Sequence, residues 1–115
     1  MQYLLLIYSD ERMMDNLTPE GGKEMMEKYG VFTQSIVQSG HFKGADRLQP
    51  TSTATTVRVK DGKTLTTDGP FAETREALGG YYLVEAKDLD EAVVIAARIP
   101  AAEYGCVEVR PIWAM

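Results

Sequence analysis

The strand predicted at the start of the chain constrains the fold most. Residues 3–8 read YLLLIY and are apolar at every position, so both alternating faces of a strand formed here are apolar. Such a strand is typical of the interior of a sheet, where both faces are shielded from water. We therefore expect residues 3–8 to form an inner strand, and the rest of the chain to cover it.

A first helix is predicted to start at residues 18–20, Thr-Pro-Glu. This sequence supplies a hydroxyl cap, a proline at the first helical position and a carboxylate at the positive end of the helix dipole. Four apolar residues follow at helical spacing and predict the buried face: Met25, Tyr29, Phe32 and Ile36. The helix is expected to end at Ser39-Gly40.

A second helix is predicted from Asp88, with Glu91 three residues on as in a capping box, and it ends before Pro100. Its predicted buried face consists of Leu89, Ala92, Ala96 and Ile99.

A β-hairpin is the clearest local signal. Residues 55–60 and 63–67 are rich in β-branched side chains and flank Asp61-Gly62, a pair that suits a two-residue hairpin turn. Residues 41–48, 81–86 and 106–110 are predicted as further strands, and residues 72–78 as one helical turn.

This order predicts one α+β domain over residues 1–115. It is a ferredoxin-like βαββαβ arrangement with an inserted hairpin, in which two helices cover one face of an antiparallel sheet. The apolar alternates in residues 3–8 and 81–86 are too many for a face in water. We therefore expect sheet-on-sheet packing with a second copy, a homodimer.

Composition excludes several classes of protein. The net charge of −5 has the wrong sign for binding nucleic acid, and no apolar run approaches the roughly 20 residues that span a membrane. The N-terminal apolar run lacks a basic flank, unlike a signal peptide. The single cysteine, Cys106, excludes an internal disulfide, favours the cytoplasm and is expected to be a buried, inert thiol. One histidine and one cysteine cannot build a zinc site, and we expect no metal or cofactor.

Two residues are candidates for acid–base chemistry. Asp68 follows a predicted hairpin strand and precedes Gly69-Pro70, where it is either a general base or a cap of the turn. His41 is the only histidine, and it either pairs with Asp68 in a dyad or lies exposed beyond a helix end.

Aromatic residues at strand ends are candidates for ligand binding. Tyr8, Tyr81 and Tyr82 either line a pocket or fill a core or interface, and only one of the adjacent pair Tyr81 and Tyr82 can face a given pocket. Pro70 and Phe71 are predicted to contact the same ligand.

The string DGPFAETRE at residues 68–76, followed by LGGYYLV at 78–84, resembles the DGPF branch of the YCII-related proteins. Residues 3–11, 99–102 and 107–112 are similar to the same family. The resemblance implies a ferredoxin-like subunit paired into a dimeric α+β barrel. Most members are uncharacterised, many lie beside sigma-factor genes, and some distant relatives are enzymes that act on aromatic or lactone substrates.

Some YCII-like relatives carry a proposed His–Asp pair whose histidine lies on the first helix. The helix predicted here, between residues 18 and 39, contains no histidine, so this sequence departs from that pattern.

The function that we expect is a small-molecule-binding homodimer with a pocket near residues 68–71. One alternative is a small acid–base enzyme, of the isomerase or lyase type, that uses Asp68 with or without His41. Another alternative is a regulatory or interaction protein linked to sigma-factor signalling.

Overall fold

The computed structural model describes residues 1–114, which form two antiparallel sheets and three α-helices. The strands are β1 (Gln2–Ser9), β2 (Phe42–Arg47), β3 (Thr55–Lys60), β4 (Lys63–Asp68), β5 (Ala77–Glu85) and β6 (Cys106–Pro111). The helices are α1 (Glu11–Asp15), α2 (Pro19–Gln38) and α3 (Leu89–Ala97), with short 3₁₀ turns at Thr51–Thr53 and Pro100–Ala102.

The main sheet has the strand order β2-β5-β1-β6, and all of its pairings are antiparallel. With α2 and α3 this is the predicted ferredoxin-like α+β arrangement, and the inserted hairpin forms a separate sheet of β3 and β4. The fold class is thus confirmed. β1 lies between β5 and β6, as its two apolar faces predict.

The core lies between the main sheet and the helices. Tyr3, Leu5 and Ile7 of β1 are buried on this side, and Phe32 and Ile36 of α2 are buried against them in one cluster. The Tyr82 ring of β5 meets the Phe32 ring edge to face, with centroids 5.1 Å apart. Phe32 and Ile36 of the predicted stripe of α2 are therefore buried, and Tyr29 is partly buried against the same core. Met25, also predicted in this stripe, is only partly buried and lies outside the core cluster.

Both long helices start as predicted. The Thr18 hydroxyl accepts a hydrogen bond from the Gly21 N–H at 3.0 Å, and the Asp88 carboxylate accepts one from the Glu91 N–H at 2.9 Å. The predicted buried face of α3 needs one correction, because Ile95 is buried whereas Leu89 is 50% exposed. Leu89 is the first residue of α3 and precedes the turn that meets the core.

Two other predictions were wrong. Residues 72–76 form an irregular segment with bends rather than a helical turn, and β5 starts at Ala77 because Ala77 and Leu78 pair with Ser9 and Tyr8 of β1. Cys106 is exposed rather than buried, because it opens the edge strand β6 and pairs opposite Tyr8 on the sheet face away from the helices. The helix α1 was not predicted; its N-cap is Asp10.

A β-bulge at Gly79 shifts the alternation of β5 by one residue, so that side chains before it point to the opposite face from the one that a regular strand would give. Ile7 pairs with Gly80 but Tyr8 pairs with Leu78, so Gly79 is the extra residue. The bulge places Leu78 on the same face as Tyr8. At Gly80 a methyl group would lie 2.9 Å from the Asp46 carbonyl oxygen, which explains the glycine in this close approach of β2 and β5.

We predict opposite effects for alanine at two glycines. A methyl group at Gly105 would overlap the Tyr8 carbonyl oxygen, so Gly105→Ala should lower the free energy of unfolding by about 2 kcal/mol or more. Gly30 of α2 has open space around it, so Gly30→Ala should raise stability by about 0.5–1 kcal/mol. Urea unfolding of both variants tests this, and equal effects would contradict it.

Candidate functional site

The face of the main sheet away from the helices, called here the open face, has an apolar centre. The strand pairings place six side chains on it: Leu4, Leu6, Tyr8, Leu78, Tyr81 and Leu83. All six are partly exposed, because no helix of the described chain covers this side. An exposed apolar area of this kind is typical of an interaction or binding surface.

Polar groups flank the apolar centre of the open face on both edge strands. The Tyr81 hydroxyl donates to Asp46 of β2 at 2.7 Å, and the Tyr8 hydroxyl donates to Glu108 of β6 at 3.2 Å. Glu108 also accepts from the Arg110 Nε at 2.8 Å. An apolar centre with a hydrogen-bonded polar border is the usual anatomy of a protein interface.

The two tyrosines keep their protons. The hydrogen bond to Asp46 raises the pKa of Tyr81, while partial removal from water and then the bond to Glu108 raise the pKa of Tyr8. Their hydroxyl groups therefore act as hydrogen-bond donors and aromatic surface rather than as bases near neutral pH.

Tyr82 lies on the opposite side of β5 from Tyr81. It is buried in the core, and its hydroxyl lies 2.6 Å from the Thr33 hydroxyl of α2. The structure thus brings Tyr8 and Tyr81 to one face and places Tyr82 on the other, within the packing between sheet and helices.

The end of β1 carries a cluster of charges that sequence reasoning missed, called here the β1 junction. Asp10 accepts hydrogen bonds from the Arg12 side chain at 2.7 and 3.1 Å, and Arg75 of the DGPF segment (residues 68–76) lies 3.7 Å away. Hydrogen bonds from the Arg12 side chain and then its backbone N–H lower the pKa of Asp10 to about 2. Asp10 thus forms a close pair with Arg12 and an exposed ion pair with the DGPF segment, two residues after Tyr8.

Glu11 ties the β1 junction to the loop before the hairpin. Its carboxylate accepts from the Thr51 N–H at 2.8 Å and from the Thr51 hydroxyl at 2.6 Å. The sequence signal that points to these acids is their place directly after a buried strand, where polar side chains cluster at a sheet end.

The DGPF segment begins at the exposed end of β4. Asp68 pairs opposite Thr55, and the adjacent turn is held by the Gly69 N–H on the Ala54 carbonyl at 2.7 Å and by the Thr56 hydroxyl on the Gly69 carbonyl at 2.8 Å. Gly69 has a φ of +99°, a conformation that favours glycine. The turn therefore forms without a hydrogen bond to the Asp68 carboxylate among residues 1–114.

The other two candidates of this segment differ in exposure. Pro70 is partly buried, whereas Phe71 is 82% exposed. An aromatic ring exposed to water is available to a ligand or to another protein chain.

His41 lies outside this region. Its Nδ1 is 2.6 Å from the Ser39 hydroxyl, and its Nε2 is 3.1 Å from the Glu91 carboxylate. Both ring nitrogens thus have partners, and the His41–Asp68 dyad, one of the two alternatives for this histidine, is not formed. The arrangement joins the end of α2 to the first turn of α3, and Glu91 also accepts from the Lys87 N–H at 3.1 Å.

The Ser39-His41-Glu91 cluster resembles a catalytic triad only in composition. The N–H groups of Ser39, Gly40 and His41 all donate to carbonyl oxygens of the last turns of α2. They therefore offer no donors to an oxyanion, and the negative end of the helix dipole opposes one. The cluster is a structural tie.

Two concave surfaces lie along α2, on the side of the sheet away from Tyr8 and Tyr81. The groove between α2 and the 3₁₀ turn Pro100–Ala102 has a volume of about 570 Å³, and Phe32, Arg98 and Tyr104 are among its lining residues. A shallower one runs along Val31 and Gln38. Neither includes the DGPF segment.

Within residues 1–114, no three acidic, histidine or cysteine side chains are grouped so that they could hold a metal ion. The helices of this part of the chain are also too short or too polar to cross a bilayer.

Comparison with known proteins decides the family. The profile of the YCII-related domain matches residues 1–115. The chain belongs to the YCII-related family. An uncharacterised protein of Rhizobium meliloti is 37% identical to this YCII-related chain over 114 residues, which cover 97% of the chain and 92% of the relative. The family part of the resemblance is confirmed, and the DGPF branch stays a prediction.

Acid is predicted to weaken the β1 junction. Because the pKa of Asp10 is depressed to about 2, its charge stabilises the fold above pH 3.8, and this contribution is lost as the pH falls towards 2. Asp10→Asn keeps a capping side chain but not the charge. The difference in melting temperature between wild type and Asp10→Asn should be constant above about pH 5 and shrink towards pH 2. A difference that does not change with pH would contradict this account.

His41→Ala is predicted to affect stability rather than binding. Loss of the bonds to Ser39 and Glu91 should lower the free energy of unfolding by about 1 kcal/mol. Lys43→Ala, a change of an exposed neighbour on β2, serves as the control and should stay within about 0.5 kcal/mol of wild type. Denaturant unfolding measures both, and equal stability of the two variants would show that the tie contributes nothing.

Proposed function

We propose that this YCII-related protein is a homodimeric small-molecule-binding protein. The two open faces pack against each other, and each ligand site is formed by the DGPF segment together with Tyr8 and Tyr81, at the end of β1 where Arg75 lies 3.7 Å from Asp10. One observation carries the proposal: the open face has an apolar centre and a hydrogen-bonded polar border, yet the described chain leaves it uncovered.

A second copy of this chain is the partner that best fits the open face. A face-to-face pair related by a two-fold axis presents the same surface to itself, so the apolar centres of both copies are buried together. The polar groups Asp46 and Glu108 already have partners at the border, so burial leaves their carboxylates with hydrogen bonds. This support is independent of the family resemblance, which implies the same pairing.

The chemistry beside the open face favours an aromatic ligand with polar groups. Tyr8, Tyr81 and Phe71 supply aromatic surface, and Asp68 offers an exposed acceptor. Arg75 is 84% exposed, and its guanidinium can bind a ligand carboxylate in addition to its 3.7 Å contact with Asp10. A hydroxylated aromatic acid matches this set, with its carboxylate on Arg75 and its hydroxyl on Asp68. We assign ligand binding to this site. The alternative function, a small acid–base enzyme, then depends on Asp68 without His41.

The test is a thermal-shift screen of hydroxybenzoates and related aromatic acids against wild type, Asp68→Ala and Arg75→Gln. A ligand at 100 times its dissociation constant adds about 2.7 kcal/mol of stability, which is easily seen as a melting shift. We expect at least one such shift in wild type and its loss in both variants. Asp90→Ala, which removes an exposed carboxylate on α3, is the control and should keep the shift.

The proposed site is wrong if every shift survives both substitutions, or if none of these acids shifts wild type at millimolar concentration. A loss of shift counts only where the unliganded variant melts as wild type does.

A further inference from the structure

The β3–β4 hairpin has the features of an intersubunit arm. Its two strands pair only with each other, whereas every other strand belongs to the main sheet. An isolated two-stranded hairpin is marginally stable in water, so it needs another surface to pack on. Yet Val57 is 58% and Val59 70% exposed. Within residues 1–114, the hairpin therefore lacks that surface.

The two faces of the hairpin differ in charge. Paired residues of an antiparallel ladder share a face, so the register defines a central face without charge, formed by Val57, Val59, Thr64 and Thr66. The pair Thr55 and Asp68 continues this face at the base of the hairpin. The opposite face carries three cations, Arg58, Lys60 and Lys63, together with Leu65, which is 48% exposed. This amphipathic pattern predicts that one face is buried and the other meets water or acidic groups.

The hairpin does not fold back over the open face of its own subunit. The molecule measures 48 × 44 × 18 Å, and a thickness of 18 Å fits one sheet with one layer of helices. A further layer of strands would add about 10 Å. The radius of gyration of 16.1 Å also exceeds the roughly 13 Å of a compact chain of this length. The hairpin thus extends sideways.

A second copy of this chain is the occupant that area and charge favour. The four strands of the open face, about 4.8 Å apart and about 20 Å long, project roughly 400 Å², whereas a stable interface buries about 800 Å² on each partner. The hairpin supplies additional surface on the same subunit. It also carries a charge of +1 over residues 55–68, while the rest of the chain carries −6.

We propose that the hairpin is an arm whose uncharged face, centred on Val57 and Val59, packs on the second subunit. The base of the arm is Asp68. The arm therefore holds the DGPF segment at the subunit boundary, and each ligand site is completed by the partner. This inference rests on the proposed homodimer and adds to it the surface that secures the pair.

The experiment measures the dimer dissociation constant by sedimentation equilibrium for three proteins: wild type, Val57→Lys/Val59→Lys and Val93→Lys/Val94→Lys. The second pair, on α3, is the matched control, because Val93 and Val94 are 48% and 62% exposed and the added charge is the same. We expect the arm variant to raise the dissociation constant at least tenfold and the control to change it less than threefold. Circular dichroism checks that each variant is folded.

A direct contact is tested by photo-cross-linking. Val59→Cys in a Cys106→Ser background is labelled with benzophenone maleimide and irradiated, and Val94→Cys in the same background is the control. We expect a covalent dimer from the label at residue 59 and at most a trace from the label at residue 94.

The outcomes separate the arm from the dimer. A monomeric wild type overturns both the homodimer and the arm. A dimeric wild type whose dissociation constant responds equally to both valine pairs, or that gives no cross-link from residue 59, overturns the arm and leaves the homodimer. If the arm variant does not fold, the cross-link alone decides.

Discussion

The structure depends on one constraint, the apolar character of β1 on both of its faces. Tyr3, Leu5 and Ile7 are buried against the helices, and this packing sets the position of α2 and α3 on one side. Leu4 and Leu6, which alternate with them, point to the side that the chain leaves open. The same six-residue stretch thus creates the core and the surface to which we assign function.

The polar and charged side chains next to the open face lie at the ends of its strands. Tyr8 is the last aromatic residue of β1, and directly after it Asp10 contacts Arg75 while Glu11 binds Thr51. These two carboxylates bring the DGPF segment and the loop before the hairpin to one end of the open face. A stable scaffold with polar groups on its connecting loops is the usual placement of a binding site.

Sequence reasoning predicted the fold well because its signals are local. Thr18 and Asp88 mark helix starts through their own side chains, and Asp61-Gly62 suits a hairpin turn that residues on either side reinforce. The bends at residues 72–76 and the start of β5 escaped prediction, because pairing of Ala77 and Leu78 with β1 depends on distant residues.

The candidate site was predicted less completely for the same reason. Strand alternation, which is a local property, predicted that only one of Tyr81 and Tyr82 could face a given pocket, but not which one. The pairing with β1 places Tyr81 on the face of Tyr8. The hydrogen-bond partner of His41 on α3 could not be predicted from the sequence, because Glu91 lies fifty residues away. The partners of Asp10 and Glu11 could not be predicted either, because their contacts with Arg75 and Thr51 depend on how separate loops pack together.

The central claim is that the open face is buried between two copies. The most direct test is the solution mass of wild type and of Leu6→Lys, measured by sedimentation equilibrium at micromolar concentration. Leu6 pairs with both Tyr81 and Glu108 at the middle of the face. The account predicts twice the chain mass of 12.8 kDa for wild type and the single mass for a folded Leu6→Lys. A monomeric wild type, or a variant that dimerises as tightly as wild type, would contradict it.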